Sequence, residues 1–542
     1  MGLFCASSFA GPGDAEVERF LRDHRMDQLL EIQLENRLRD TDDQTEREEI
    51  ASALSELYLN QLRAVDREDP YRDIVLFRAR SLVERTPSVP MHELRLELLV
   101  DQYITHENAI ELAHLRLLDD QARIVALDAM RETQRGLSRL LTGASQDLDR
   151  LNRRRTSTRS LEAQTRLENE LDALRRLNSF GNYYLGWSGY GVAVLEGRHV
   201  ENVTYEAFGW LLGAEGSIPK SEDLPQAALE YEHVARAVIG VAMCEMQSEE
   251  LMLSRMWLES LLDFESLPAS VPSDARRRLL RVRTMNADWS PALELAIEII
   301  SDLGDGQLTI ADARFVAITT LESRRFDSSE HASRLVTLCI EQLVAHREIG
   351  HVVDLYTRFQ NLPQIGSGFI PAYAVALAEL DRLESGEGTP SYADVIVRFH
   401  TAIKAPDADN YPEHRDDCRL KLAYALVRAD KPKDAIEQCQ RVLDTSLDAE
   451  SLEEARWVRI AALDHTNALS GKRGSSELED AIRSYIEQYP GTQRTYARSP
   501  IRDAGRAQSS TRDRDPQRRA RFGSQRPGGT PTPRPAPVQD PA

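Results

Sequence analysis

The sequence predicts an all-α fold, a superhelical array of antiparallel helix hairpins that ends in a disordered C-terminal tail. Three observations point there. From about residue 14 onward apolar residues recur at three- and four-residue steps, and no stretch sustains the apolar/polar alternation of a half-buried strand. In the C-terminal half, apolar triplets return at repeating intervals. A chain of 542 residues is too long for one compact core, and an array of stacked units accounts for that length more simply than several separate globules. With 41% apolar, 29% charged and only 6% aromatic residues, the chain can bury a core in the Ala-, Leu-, Glu- and Arg-rich manner of helical proteins.

Residues 1–13 form an apolar leader. Its start, MGLFCASSFA, closes on Ser8-Phe9-Ala10, with small residues where a signal peptidase reads them, but no charged segment precedes the run. Two readings stay open: a secretory signal truncated at its start, which implies a periplasmic or secreted protein, and a disordered leader on a cytoplasmic one. Lipidation fits less well. Ala6 stands where a myristoylation signal needs Ser or Thr, and Gly2-Leu3-Phe4 before Cys5 lacks the small residues of a lipoprotein signal.

Residues 14–178 carry the helical period through Val17, Phe20, Leu21, Leu29 and Leu30, then Ile50, Leu54, Leu57 and Leu62. Asp69-Pro70, Pro87 and Pro90, and further on Pro291, Pro363, Pro390, Pro406, Pro432 and Pro490, fall between periodic segments or in first helical turns, where a missing amide costs little. From Leu148 to Leu177 the leucines Leu161, Leu167, Leu171, Leu174 and Leu177 stand among many charges. This pattern predicts one long exposed helix, half of a hairpin with Asn108 to Leu141.

Residues 179–272 open on an aromatic patch, Phe180, Tyr183, Tyr184, Trp187 and Tyr190, interleaved with Gly181, Gly186, Gly189 and Gly191. Tyr183, Trp187 and Tyr190 share one helix face. Glycine lets neighbouring backbones approach and rings fill the contact, so a packed core is the simpler reading, with a small-molecule site over residues 180–215 as the alternative. Gly189-Tyr190-Gly191 does not extend to a dinucleotide fingerprint, because no strand precedes it and the third glycine is missing. The most apolar stretch, Tyr183 to Leu195, has thirteen residues and is too short to span a membrane.

Residues 273–490 hold the repeat. The triplets Val352, Tyr356, Phe359; Val395, Phe399, Ala402; Ala435, Cys439, Val442; and Ala481, Tyr485, Gln488 are each spaced i, i+4, i+7, and their starts lie 43, 40 and 46 residues apart. First helices lie between them, with Cys418, Leu422, Ala423 and Leu426, then Leu452, Ala455, Val458 and Ala462. Within this half, Leu420 to Leu443, LKLAYALVRADKPKDAIEQCQRVL, resembles a tetratricopeptide repeat. Leu422-Ala423 matches the Leu-Gly/Ala pair of the family's first helix, and Ala435 matches the small residue that starts the second. Ala481, Tyr485 and Tyr489-Pro490-Gly491 look like the end of another repeat, as does Ala393 to Ile403. The family's own repeat is shorter, Arg419 stands where its Trp is common, and Cys439 replaces its usual aromatic, so longer units of the HEAT type remain the structural alternative.

The charge is divided. Residues 491–542 contain eleven Arg and four Asp, which leaves the tail at +7 and residues 1–490 at -28. The tail is rich in Arg, Pro, Ser, Gly and Thr and buries too little apolar surface to fold. An acidic body repels phosphates, so nucleic acid or anionic lipid would have to be bound through the tail.

Residues with the spacing of catalytic or metal chemistry do not stand out, and the chain is expected to be non-enzymatic and without a cofactor. His346 and His351 are five apart, off a single helix face, and no H-E-x-x-H occurs. Gly471-Lys472-Arg473 is not a phosphate loop, no G-x-S-x-G is present, and acidic pairs such as Asp42-Asp43 and Glu48-Glu49 have the pattern of solvated faces. Cys5, Cys244, Cys339, Cys418 and Cys439 form no C-x-x-C pair. Cys418 and Cys439 fall on neighbouring helices, and two small buried apolar residues is the simpler reading for them than a disulfide. Asn202-Val203-Thr204 is a glycosylation sequon by pattern alone. The resemblance to tetratricopeptide repeats implies a protein–protein interaction scaffold that binds a peptide or protein segment on its helical surface. The repeat register of the N-terminal half leaves its partner-binding residues unassigned.

Overall fold

The computed structural model describes residues 14–155, 160–214, 217, 219–220, 224–302, 306–323, 329–359, 368–386, 391–471 and 474–489. The leader with Cys5, the tail 491–542, and Pro363, Pro390 and Pro490 lie outside the described residues. Among the described residues the chain is all-α, with twenty-one α-helices, short 3-10 turns and no strand. It divides into two compact units, residues 1–365 and 366–542.

The first unit opens with α1 (Asp14–Asp23), α2 (Asp27–Asp40), α3 (Gln44–Ala64) and α4 (Pro70–Arg85). Asp43 caps α3 by accepting from the amides of Thr45 and Glu46, and Asp69 caps α4, which has Pro70 in its first turn. Leu30, Leu34, Leu54, Tyr58, Leu62, Val75, Ala79 and Leu82 form one core between these helices. There follow α5 (His92–His114), α6 (Asp120–Arg155), α7 (Leu161–Glu196), α8 (Asn202–Leu211), α9 (Glu232–Gln247), α10 (Leu251–Leu262), α11 (Ser270–Met285), α12 (Trp289–Ser301), α13 (Ile310–Glu322), α14 (Glu330–Ala345) and α15 (Ile349–Arg358).

Nearly every helix of this unit packs on its neighbour in sequence; the exception is α12, which packs on α11 and α14 rather than on α13. In addition α3, α5, α7, α9, α11 and α13 each pack on the next of that series, so these six helices form a continuous layer on which α4, α6, α8 and α10 sit. Stacking of this kind is how helix pairs bury faces they cannot cover alone.

One turn geometry recurs. The helices α1, α5, α9, α11 and α14 end on a left-handed residue, Arg25, Arg116, Glu249, Ala287 and Arg347 in turn. In each case that residue's N–H bonds the carbonyl three back and the next N–H bonds the carbonyl five back, as in Glu249 to Met246 and Glu250 to Glu245. This is the Schellman arrangement, which satisfies two orphan carbonyls. It also ends α7 at Gly197 and, in the second unit, appears at Asp430. Sequence reading looks for glycine at such ends and passes over Glu, Ala, Arg and Asp.

Two expectations are corrected in the first unit. The segment Leu148 to Leu177 is not one helix, since α6 ends at Arg155 and α7 begins at Leu161. Leu148 and Leu151 of α6 instead meet Leu167, Leu171 and Leu174 of α7, so the leucines taken as one stripe are the two sides of a hairpin. Likewise Asn108 to Leu141 is broken between α5 and α6, where Arg116 turns the chain and Asp119 accepts from the amide of Ala122. Positions 178/179 lie within α7 and positions 272/273 within α11.

The second unit contains α16 (Phe369–Ser385), α17 (Tyr392–Ile403), α18 (Pro412–Arg428), α19 (Pro432–Thr445), α20 (Ala449–Leu469) and α21 (Ser476–Gln488), packed in sequence, with α18 also on α20. Val395, Phe399, Ala402, Ala435, Cys439, Val442 and Tyr485 of the repeating triplets are buried, as are Cys418, Leu422, Ala423, Leu426, Ala455, Val458 and Ala462. Ser391 and Asp394 close a reciprocal capping box on α17. Cys418 and Cys439 are free and buried. Burial raises both thiols, that of Cys439 to about 12, and keeps them protonated. No helix among the described residues is long and apolar enough to cross a membrane.

Candidate functional site

In the first unit a recess of about 800 Å³ opens across four consecutive helices of the odd layer, α5, α7, α9 and α11. On α5 the lining residues Tyr103, Glu107, Glu111 and His114 follow steps of four, four and three, which aligns them on one face. On α7, Tyr183, Trp187 and Tyr190 do the same. Arg236 and Met243 come from α9, and Ser270, Ser273, Asp274, Arg277 and Arg278 from α11.

The aromatic patch is divided between core and recess. Tyr190 is buried, and Trp187 stands edge-on to Tyr190 and to Phe208 of α8, with centroids 5.7 Å away in each case. Tyr183 and Trp187 keep part of their rings in the recess. The glycines act as expected: a methyl group at Gly186 or Gly240 would come closer than 3.0 Å to the Phe208 ring, and one at Gly189 would strike Thr204. Their missing side chains let α7, α8 and α9 close around Phe208. Phe180 is 44% exposed and stacks on His233 outside the recess. The stretch 200–212 belongs largely to the core, with Tyr205, Ala207, Phe208, Leu211 and Leu212 buried.

A ladder of ion pairs supports one wall. Arg236 bonds Glu232 and Asp274 at 3.0 Å each; Arg278 reaches Asp274 at 3.4 Å and Glu111 at 3.6 Å. Arg281 bonds Glu111 and, at 2.7 Å, Asp312 of α13, while Arg277 stands 4.0 Å from Asp312. Arg281 is 2% exposed and lies over the Phe315 ring at 5.0 Å. Four guanidiniums thus face four carboxylates, which lets a cation as costly to bury as Arg281 sit inside. Burial pushes the Glu111 carboxyl up, but the charge and hydrogen bonds of Arg281, with the charge of Arg278, outweigh it and bring the carboxyl to about 2. Burial, and then the Arg281 charge, lower His114 to about 4, so its ring is neutral at pH 7 and shares a 2.8 Å hydrogen bond with the Tyr190 hydroxyl.

Glu107 differs from the other carboxylates. It accepts from the Tyr103 hydroxyl at 3.3 Å and has no ion pair among the described residues. It meets water at the recess mouth, yet the surrounding protein withdraws enough solvent to raise its pKa. The recess therefore offers aromatic faces and a carboxylate that forms no ion pair among the described residues. Among the described residues no three His, Cys, Asp or Glu side chains gather to hold a metal ion. His346 instead bonds the Leu308 carbonyl, and His351 bonds Arg314.

Sequence reading picked out Tyr183, Trp187 and Tyr190 but missed Glu107, Glu111, Arg236, Asp274 and Arg278. Charged residues on helices have the pattern of solvated faces, and only the matched stripes at 103, 107, 111, 114 and at 183, 187, 190 could have paired α5 with α7. Compared with models of known protein families and with curated protein sequences, the chain matches neither.

Proposed function

We propose that the chain is a non-enzymatic interaction scaffold of the tetratricopeptide-like kind, which holds a peptide or protein segment in the recess on α5, α7, α9 and α11. The observation that carries this reading is that the recess is built from successive helices of one layer. That layer presents an extended contact surface, and its aromatic anchors and satisfied charges suit a partner's side chains. Glu107, open at the mouth, suits a basic residue of the partner. The test is quantitative co-purification from the native cell with wild type, Glu107→Arg and Trp187→Phe at physiological salt. A partner retained by wild type and depleted by both variants supports the proposal; a partner set identical across all three would sink it.

A second reading, a small-molecule site at the same aromatic wall, is favoured by the cavity volume, which lies within the range of ligand pockets. Native mass spectrometry of the purified protein distinguishes the two. A retained mass adduct lost in Trp187→Phe supports the small molecule, and the bare chain mass counts against it.

A further inference from the structure

A second recess, of about 500 Å³, lies toward the N-terminal end of α5, between α4, α5 and α6. Two of the cations that line it differ from the most buried arginines of the first unit. The buried arginines Arg72, Arg281 and Arg314 each meet a carboxylate within 3.5 Å. Arg95 on α5 and Arg139 on α6 both line this recess, and neither has an ion pair among the described residues. Arg95 donates only to the Pro87 carbonyl, at 3.4 Å, and Arg139 only to the Arg135 carbonyl, at 3.3 Å.

The other charged groups of the recess do not supply the missing counter-charge. Glu132 accepts from the Gln102 amide at 3.2 Å, Glu84 is exposed, and Arg80 of α4 stands 4.0 Å from Asp101. His92 bonds Asp147 at 2.9 Å through Nε2, while its buried Nδ1 has no partner. Burial and the like charge of Arg139 hold the Arg95 guanidinium below its ordinary value. Two like charges on the walls of one recess, Arg95 half-buried and Arg139 exposed, repel each other across it. An anion between them would remove that repulsion.

We infer that this recess binds a soluble phosphate monoester, with the phosphoryl group held between Arg95 and Arg139. A dianion neutralises both guanidiniums where a monocarboxylate neutralises one. Its three terminal oxygens can accept from both planar forks, and the apolar side chains of Val89, Leu98 and Leu140 leave room for an organic remainder. This site is separate from the proposed segment-binding recess and does not depend on that reading.

The test is calorimetric titration of the full chain, in phosphate-free buffer near neutral pH, with inorganic phosphate, glycerol 3-phosphate and acetate. Phosphatidic-acid vesicles are assayed in parallel by co-sedimentation. Saturable one-site binding of inorganic phosphate and glycerol 3-phosphate is expected, with acetate much weaker. Arg95→Gln and Arg139→Gln should each weaken it about tenfold or more, and Arg123→Gln, on α6 outside the recess, should leave it unchanged. Arg139→Gln should also raise the melting temperature without phosphate, and added phosphate should raise that of wild type but not of the variant. If Arg95→Gln does not fold, the more exposed Arg139→Gln decides. The inference is overturned by absence of saturable phosphate binding, by equal losses in Arg123→Gln and Arg139→Gln, or by binding to the vesicles alone.

Discussion

Arg281 shows how much single residues can matter in a helical array. Its guanidinium is buried against Asp312, itself 3% exposed, and against Glu111. Replacing it by Ala leaves the Asp312 carboxylate buried with Thr309 as its close partner. Arg281→Ala is therefore expected to lower the unfolding free energy by about 3–5 kcal/mol in a denaturant titration. A loss under about 1 kcal/mol would mean that water reaches the pair. His114 makes a pH prediction. Its ordinary value is 6.5 and its folded value about 4, so as pH falls through that window the unfolded chain takes up a proton that the folded chain refuses. Its contribution is complete above 6.5 and is lost progressively toward 4. His114→Phe should reduce the drop in stability over that range without abolishing it, because His233, His351 and His400 are lowered as well. Glu111, depressed from 4.5 to about 2, adds a further loss below 4.5.

At the scale of elements, the packing of α7, α8 and α9 turns on what is absent. Gly186 and Gly240 face the Phe208 ring from two helices, so Gly240→Ala is expected to cost about 1–3 kcal/mol through overpacking, despite Ala's better helix propensity. Phe208→Leu should recover part of that cost, and thermal melts of the double-mutant cycle measure the coupling. Additive effects would show that the ring does not occupy the glycine contact. Much of this level was legible. The glycine–aromatic interleaving predicted close packing, and the triplets at 395, 399, 402 and 435, 439, 442 predicted buried faces. The ends of α5 and α6 were not, because Arg116 takes a left-handed conformation that glycine usually signals. The leucines from 148 to 174 also keep a helical spacing on both sides of a turn.

For the whole molecule, the second unit contains three helix pairs with a core that includes Phe369, Tyr373, Phe399 and Leu422. About three repeats are the least that such stacks need to be stable. Residues 368–489 expressed alone should therefore keep helical circular dichroism and melt cooperatively, and calorimetry of the full chain should resolve more than one transition. A fragment without a cooperative melt would mean that its core is completed elsewhere.

Local periodicity is a property of consecutive residues, so the sequence by itself determined the all-α class, the alternation of helices and turns, most of the buried faces and the division of charge between body and tail. Only the tertiary structure decided which stripes meet. Glu111 and Arg281 are 170 positions apart, and Arg95 and Arg139 belong to different helices. Whether a charge on a helix is solvated, paired or left without a counter-ion depends on the helix opposite it, and no local pattern encodes that neighbour. The recess on α5, α7, α9 and α11 and the arginine pair beside α6 both arise at that level.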